Sequence, residues 1–293
     1  MTVTEFVGES SYRKISLSGW SGIIHPEACP EETLRIISRD GILRTQEGYL
    51  QPVQSDSKCS VFITRLPFRG ERIRAYVKQF HLHPSLNYLI HLICTGRARR
   101  ALRATLMLEQ HGFNAPRPLA LMEKRYGPFC TDSILITKDV PDSVQLSERL
   151  DQLGADSSKV GLNKKCRLIR KFGRLVGQMH QVGILHGDLR LRNVLVQEQD
   201  GSPVFWFIDN ERTKRFPVLS PVLARKNLVQ LNMKSRVSNA DRLRFLKAYA
   251  QARGLTAEEL KTIARMVVQG MDRRRAQKSV RTSWKKLKKM WKG

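Results

Sequence analysis

Acid is the scarcest chemistry in this chain relative to its opposite: 26 Asp+Glu stand against 52 Lys+Arg, a formal net charge of +26. So cationic a surface seeks polyanions: nucleic acid, an anionic membrane face or a phosphorylated substrate. Charge alone does not choose among them and says nothing of fold. Long apolar runs are missing too. No stretch approaches the roughly eighteen consecutive apolar residues of a membrane-crossing helix, so none is expected. The opening MTVTEFVGESSYRK lacks the apolar core of a signal peptide, and no export signal is expected. Cysteine is sparse: Cys29, Cys59, Cys94, Cys130 and Cys166 are odd in number, widely spaced and without a CxxC pair. That argues against zinc and for free thiols in a reducing compartment. Internal repeats, low-complexity linkers, base-stacking aromatic clusters and a helix-turn-helix signature are also absent, so nucleic acid is not an expected partner.

What is present suffices for a sizeable core: 41% hydrophobic residues over 293 positions, in one large domain or two lobes. The first part reads as β-rich. EETLRIIS after Pro30 reads as a short helix, and GILRTQEGYL and CSVFITRL read as strands separated by the polar, turn-like QPVQSDSK. RIRAYVKQF alternates through Ile73, Ala75 and Val77, which puts Lys78 on the opposite side of that strand. A helix is expected from about Gly96 to His111, ended by Gly112 with Pro116 and Pro118 beyond. SILITKDV is a strand that breaks at Pro141, a candidate boundary between lobes of residues 1–139 and 140–293. From Leu162 the spacing of Cys166, Ile169, Phe172, Val176 and Met179 predicts a helix that stops near Gly183. NVLVQ, the turn EQDGSP and VFWFID form a hairpin. Beyond Asp209 the chain is basic and helical, with a capping box at Thr256 and Glu259.

Four residues in this order carry chemistry: Lys78 on a strand, Asp188 and Asn193 in the loop of HGDLRLRNVLV, and Asp209 ending the next strand in FIDN. Taken singly, Asp209 is a turn cap, Asn193 a turn residue and Lys78 a solvated strand lysine. Together they make the inventory of phosphoryl transfer. A cation holds nucleotide phosphates, a carboxylate orients the attacking hydroxyl, and an amide with a second carboxylate holds magnesium, a hard ion that prefers oxygen. A hairpin brings its ends together, so Asn193 and Asp209 are placed to share one ion.

The order H-x-D-L-x-x-x-N, hairpin, apolar-Asp resembles the catalytic segment of protein-kinase-like enzymes. More narrowly, GRARRALRATLMLEQHGFNAPRPLALM, ITKDVPDSVQL, IDNER and DRLRFLKAYAQARGLTAEELKTIARM look like the lipopolysaccharide kinase family, which phosphorylates Kdo or heptose of the inner core. The resemblance covers roughly residues 40 to 275. It implies an α+β, protein-kinase-like bilobal fold with a β-rich N-lobe and a mostly helical C-lobe. It implies an ATP-dependent kinase that uses Mg2+, with the lipopolysaccharide core or a lipid A precursor as acceptor.

By position, Lys78 would hold the α/β-phosphates, Asp188 would accept or orient the sugar hydroxyl, and Asn193 and Asp209 would bind magnesium. Arg190 would neutralise the transferred phosphoryl group and His186 would support the loop. The backbone of residues 137–140, with Lys138 and Val140, would take the adenine. The pattern is also departed from. No G-x-G-x-x-G precedes Lys78, Gly187 stands where protein kinases have the arginine of H-R-D, and Ala101 stands where the helix would carry a lysine-pairing glutamate. Glu109, that helix's only acid, comes about two turns later. Two other readings stay open: a kinase for another acceptor, protein or aminoglycoside-like, and a non-catalytic basic scaffold binding nucleotide or membrane.

The ending SWKKLKKMWKG puts Trp284, Leu287, Met290 and Trp291 on one helical face among Lys285, Lys286, Lys288, Lys289 and Lys292. Aromatics at headgroup depth ringed by lysines make an interfacial helix. A helix packed on its own domain by those tryptophans is the alternative. With the lipid-linked acceptor that the resemblance implies, the expected place is cytoplasmic, peripheral on the anionic inner-membrane surface.

Overall fold

The computed structural model describes residues 9–17, 19–38, 41–42, 50–56, 59–81, 96–127, 129–232 and 237–290. The chain divides into two compact units, Met1–Asp142 with Trp206–Arg212, and Ser143–Phe205 with Thr213–Gly293.

The first unit is built on seven strands: β1 (Arg13–Leu17), β2 (Trp20–Ile24), β5 (Gln51–Asp56), β6 (Cys59–Phe68), β7 (Glu71–His81), β8 (Pro118–Tyr126) and β9 (Phe129–Lys138). Their order is β1-β2-β8-β9-β7-β6-β5, and each neighbouring pair is antiparallel. Alternation along β6 and β7 sends successive side chains to opposite faces. Phe62, Leu66, Val77, Ile134 and Ile136 pack on one face with Trp20 and Met122. Phe80, Leu121 and Leu135 pack on the other against Ala98, Ala101, Leu102 and Leu106. Those four belong to the helix α2 (Arg97–Gln110), which lies within the expected bounds.

A short helix α1 (Pro30–Arg35) stops before EETLRIIS is used up, because Ile37–Ser38 (β3) turns back to pair with Gly41–Ile42 (β4). Those two residues are the strand found in GILRTQEGYL; residues 43–49 lie outside the described residues. QPVQSDSK, expected as a turn, supplies β5. It is an edge strand, where polar side chains protect an exposed ladder, so polarity there marks an edge rather than a loop.

The second unit holds a three-stranded sheet, β10 (Ser143–Gln145), β12 (Val194–Gln199) and β13 (Ser202–Phe207), in the order β10-β12-β13. The last two residues of β13 belong to the first unit. Its helices are α3 (Leu146–Ala155), α4 (Lys159–Gln181), α5 (Pro221–Asn232), α6 (Asn239–Ala252) and α7 (Ala257–Met290). The run after Asp209 is not wholly helical: β14 (Lys214–Arg215) first pairs with β11 (Ile184–Leu185). Gly177 lets α4 approach α6 closely, since a Cβ there would lie 2.7 Å from the Tyr249 carbonyl oxygen and from the Ala252 methyl. Phe172 is in ring contact with both Phe205 and Phe245 in this core.

Thr256 and Glu259 form the expected reciprocal cap of α7: Glu259 N–H donates to Thr256 Oγ1 and Thr256 N–H to Glu259 Oε2. Ser238 and Asp241 cap α6 in the same way. Cys29, Cys59, Cys130 and Cys166 are free thiols, and Cys94 lies outside the described residues. Among the described residues no helix is long and apolar enough to cross a membrane. The helix α7 runs through Met290, but the side chains of its final lysine-rich part, like residues 291–293, lie outside those described.

Candidate active site

In the first unit, pleating puts Lys78 on the Phe80 face of β7, opposite Leu135 of β9. Its ammonium contacts the Asp209 carboxylate directly. Asp209 follows β13 with a φ of 61°, a left-handed backbone that costs a non-glycine residue roughly 1–3 kcal/mol and persists only where its surroundings hold it. They do so here. Asn210, buried, donates through Nδ2 to Thr105 Oγ1 at 3.1 Å and to the Phe207 carbonyl at 3.0 Å. Glu211 accepts a two-pronged contact from Arg97 at the start of α2: Nε to Oε2 at 2.9 Å and Nη2 to Oε1 at 3.1 Å. Phe207 N–H donates to the Asn114 carbonyl at 2.9 Å. Residues 207–211 are thus tied to the sheet and α2.

Ala101, where the resemblance would put the lysine-pairing glutamate, is 5% exposed in the apolar layer with Leu121 and Leu135. A carboxylate there would be desolvated. The acid that meets Lys78 comes from Asp209 instead. Glu109 is exposed, and partial desolvation lifts its carboxyl above the ordinary range while Arg117 pulls it down.

At the end of β9, the Lys138 N–H donates to the Arg117 carbonyl at 2.8 Å and the Asp139 N–H to the Arg74 carbonyl at 2.9 Å. An adenine contact at Lys138 would therefore fall to its carbonyl. The Lys138 ammonium lies 5.7 Å from the Phe68 ring centre, and Val140 is buried.

In the second unit, the loop after β11 carries His186, Asp188, Arg190 and Asn193 together. Asn193 Nδ2 donates to the Asp188 carbonyl at 2.9 Å and to Asp188 Oδ2 at 3.3 Å. Arg190 Nε meets Asp188 Oδ1 at 2.8 Å. The guanidinium expected on a phosphoryl group thus begins on Asp188.

Two amides of α5 hold this loop from beneath. Gln230 Nε2 donates to the Gly187 carbonyl at 3.2 Å and to Asp188 Oδ1 at 3.4 Å, while its Oε1 accepts from Leu189 N–H at 3.1 Å. Asn227 Oδ1 accepts from His186 N–H at 3.2 Å and lies 3.1 Å from His180 Nε2, which must carry the proton. His180 Nδ1 then accepts from the Tyr249 hydroxyl at 3.0 Å, and that hydroxyl accepts from Arg253 at 3.1 Å. Burial lowers the His180 pKa to about 4, so the imidazole is neutral. Arg97, Glu211, Asn227 and Gln230 escaped the sequence reading. Glu211 lies in the quoted IDNER, but no local pattern marks the amides of Asn227 and Gln230, about forty residues beyond the loop they hold.

The donor chemistry fits magnesium. With its NH2 turned to Asp188, Asn193 has Oδ1 left as an oxygen ligand, and Asp209 offers a carboxylate. One or two protein oxygens, completed by nucleotide phosphates and water, are the usual ligands of this ion.

The fold is α+β and kinase-like. The model of the lipopolysaccharide kinase (Kdo/WaaP) family matches residues 65–249, well over half of the sequence, and the chain belongs to that family. The chain is 28% identical over 164 residues to a 3-deoxy-D-manno-octulosonic acid kinase of Xylella fastidiosa (strain M12), covering 55% of this chain and 60% of the relative. It is 31% identical over 127 residues to the enzyme of that name from Vibrio vulnificus (strain YJ016), covering 42% and 46%. The chain thus spans about half the length of the curated relatives it matches. A solved structure, "WaaP in complex with acyl carrier protein", has the same fold, with a TM-score of 0.59 at 19% identity over 85% of this chain and 92% of that one. The kinase-like α+β fold expected from HGDLRLRN and FID, and the family expected from segments such as ITKDVPDSVQL and IDNER, are therefore borne out.

Proposed function

We propose that this chain is an ATP-dependent kinase that phosphorylates a sugar hydroxyl of the lipopolysaccharide inner core. The relatives' name favours Kdo as the acceptor. The single observation that carries the reading is the carboxylate of Asp188, fixed by Asn193, Arg190 and Gln230 in a loop of the required order.

In this reading Asp188 orients the acceptor hydroxyl and takes its proton as the phosphoryl group is transferred. His186 and Asn227 keep the loop in place. Lys78 leaves Asp209 to hold the α/β-phosphates, and Arg190 turns from Asp188 to the transferred group as its charge develops. Asn193 Oδ1 and Asp209 would hold Mg2+, which when bound supplies charge neutralisation at the phosphates. The carbonyl of Lys138 and the backbone at Val140 take the adenine. Catalysis rests on positioning and preorganised charge, as in-line phosphoryl transfer requires. The lysine-rich end of α7 docks the enzyme on the anionic cytoplasmic face of the inner membrane, where a lipid-linked acceptor is met.

The test is transfer from ATP to a Kdo-bearing lipid A precursor, read by mass spectrometry as the gain of one phosphate. Wild type adds it; folded Asp188→Asn does not. Equal rates from the two proteins refute the assignment, and wild-type transfer to a heptose-bearing acceptor alone moves the substrate.

A further inference from the structure

Three arginines, Arg97, Arg99 and Arg100, open α2, and no acid sits in its first turn. Cations at a helix N-terminus oppose the macrodipole, so this arrangement needs carboxylates from elsewhere. Arg99 finds Glu9 and Glu123, and Arg103 finds Glu9, all in contacts that fasten the helix to its own unit. Arg97 reaches the loop that carries Asp209. Its guanidinium lies 4.8 Å from the centre of the Phe80 ring, and the Lys78 ammonium lies 5.5 Å from the same ring. Two cations therefore share one aromatic side chain, and each is matched by a carboxylate of one tripeptide: Lys78 by Asp209 and Arg97 by Glu211.

We propose that Arg97 and Glu211 are positioning residues for Asp209, a helix cation on a loop carboxylate that does the work of a helix glutamate on the strand lysine with the signs reversed. The inference rests on the kinase reading and deepens it. Lys78 cannot hold Asp209 and nucleotide phosphates at once. When Lys78 leaves, the left-handed backbone at Asp209 keeps its shape through the Asn210–Thr105 hydrogen bond and the Arg97–Glu211 fork. Glu211 also offsets the positive charge of Arg97 beside Lys78. A helix with Ala101 in place of an acid thereby still governs the metal-holding loop.

The test measures Mg·ATP binding by calorimetry on the full chain, for wild type, Arg97→Gln, Glu211→Gln, the double variant and Arg97→Lys. Each single glutamine variant is expected to bind about tenfold more weakly, as removal of a partner that orients a metal ligand does. The double variant is expected to be no worse than the weaker single, because one contact is lost only once. Arg97→Lys keeps the charge without the fork and falls between, which serves if Arg97→Gln does not fold. The KM for the sugar acceptor stays unchanged throughout. Wild-type affinity in the single variants, or losses that add in the double variant, overturns the inference and leaves the kinase reading standing. A folded wild type that binds no Mg·ATP overturns both.

Discussion

Gln230 reaches Asp188 from α5, 42 residues further along the chain, with its Nε2 at 3.4 Å from Oδ1. The same amide accepts from Leu189 N–H and donates to the Gly187 carbonyl, so one side chain fixes the carboxylate and the backbone on both sides of it. Gln230→Glu keeps the size but loses both donations and sets a second negative charge against Asp188. The expected result is a fall in kcat of roughly a hundredfold, the scale at which small misplacements of a reacting group are felt, with the KM for ATP little changed. Steady-state kinetics in both substrates checks it. A loss confined to KM would place Gln230 outside the positioning of Asp188.

Acid should destabilise the second unit through His180. Burial holds its pKa at about 4 against an ordinary 6.5. Between those values the unfolded chain binds a proton that the folded chain refuses, so stability is full above pH 6.5 and declines as pH falls toward 4. The maximum loss is on the order of 3 kcal/mol. His180→Gln should be less stable at pH 8, having lost part of the Tyr249–His180–Asn227 chain, and should show a flatter profile from pH 6.5 to 4. Asp241 acts in a lower window: burial would raise its pKa, but Lys165 and Ser238 pull it below 3.8, so its contribution is lost only under stronger acid. Denaturant titrations across that range separate the two, and parallel profiles for wild type and variant would remove His180 as the source.

How far the sequence could be read follows from the range of each interaction. The β12–β13 turn was legible because Asp200 and Gly201 both need a left-handed backbone, with φ of 49° and 69°, and Asp-Gly supplies it locally. The helix at Arg97–Gln110 was legible from its own periodicity. The loop order H-x-D-L-x-x-x-N put Asp188 and Asn193 within five residues of each other, and that spacing survives as a hydrogen bond. The strand β5 was misread because an edge strand carries the same polar residues as a turn. Arg97 with Glu211 and Gln230 with Asp188 lie 114 and 42 residues apart, and no local pattern encodes a pairing made only by folding.

Gly183 tests how tightly the entrance to the Asp188 loop is built. It has a φ of +83°, and a Cβ there would lie 1.9 Å from the Phe216 carbonyl oxygen, a backbone atom that cannot swing aside. Phe216 N–H also donates to the Gly183 carbonyl at 2.9 Å, where β11 begins to pair with β14. Gly183→Ala must push the strand that delivers His186 and is expected to cost more than about 3 kcal/mol, the upper end for backbone strain alone. Gly201→Ala meets nothing within 4 Å and carries only its positive φ, for about 1 kcal/mol. Chemical denaturation of both variants gives the comparison, and equal losses would mean that the approach at Phe216 relaxes freely.

The proposed membrane docking has a measurable signature in the end of α7. Ile263, Val267 and Met271 are buried and hold the first part of that helix to its unit, so a chain ended after Gln277 keeps this packing and loses the Trp284–Lys292 segment with its five lysines. Each lysine near an anionic surface contributes about 1 kcal/mol at physiological salt. The full chain should therefore bind vesicles containing phosphatidylglycerol at least about a hundredfold more tightly than the shortened one, by sedimentation. Binding should weaken steeply on raising salt, because the Debye length shrinks to about 3 Å at 1 M. It should also be weak on neutral vesicles, where the tryptophans act alone. Both proteins should phosphorylate a detergent-solubilised acceptor equally, if the segment acts in docking alone. Equal vesicle affinity for the two chains would remove the segment from docking and leave its tryptophans to a packing role.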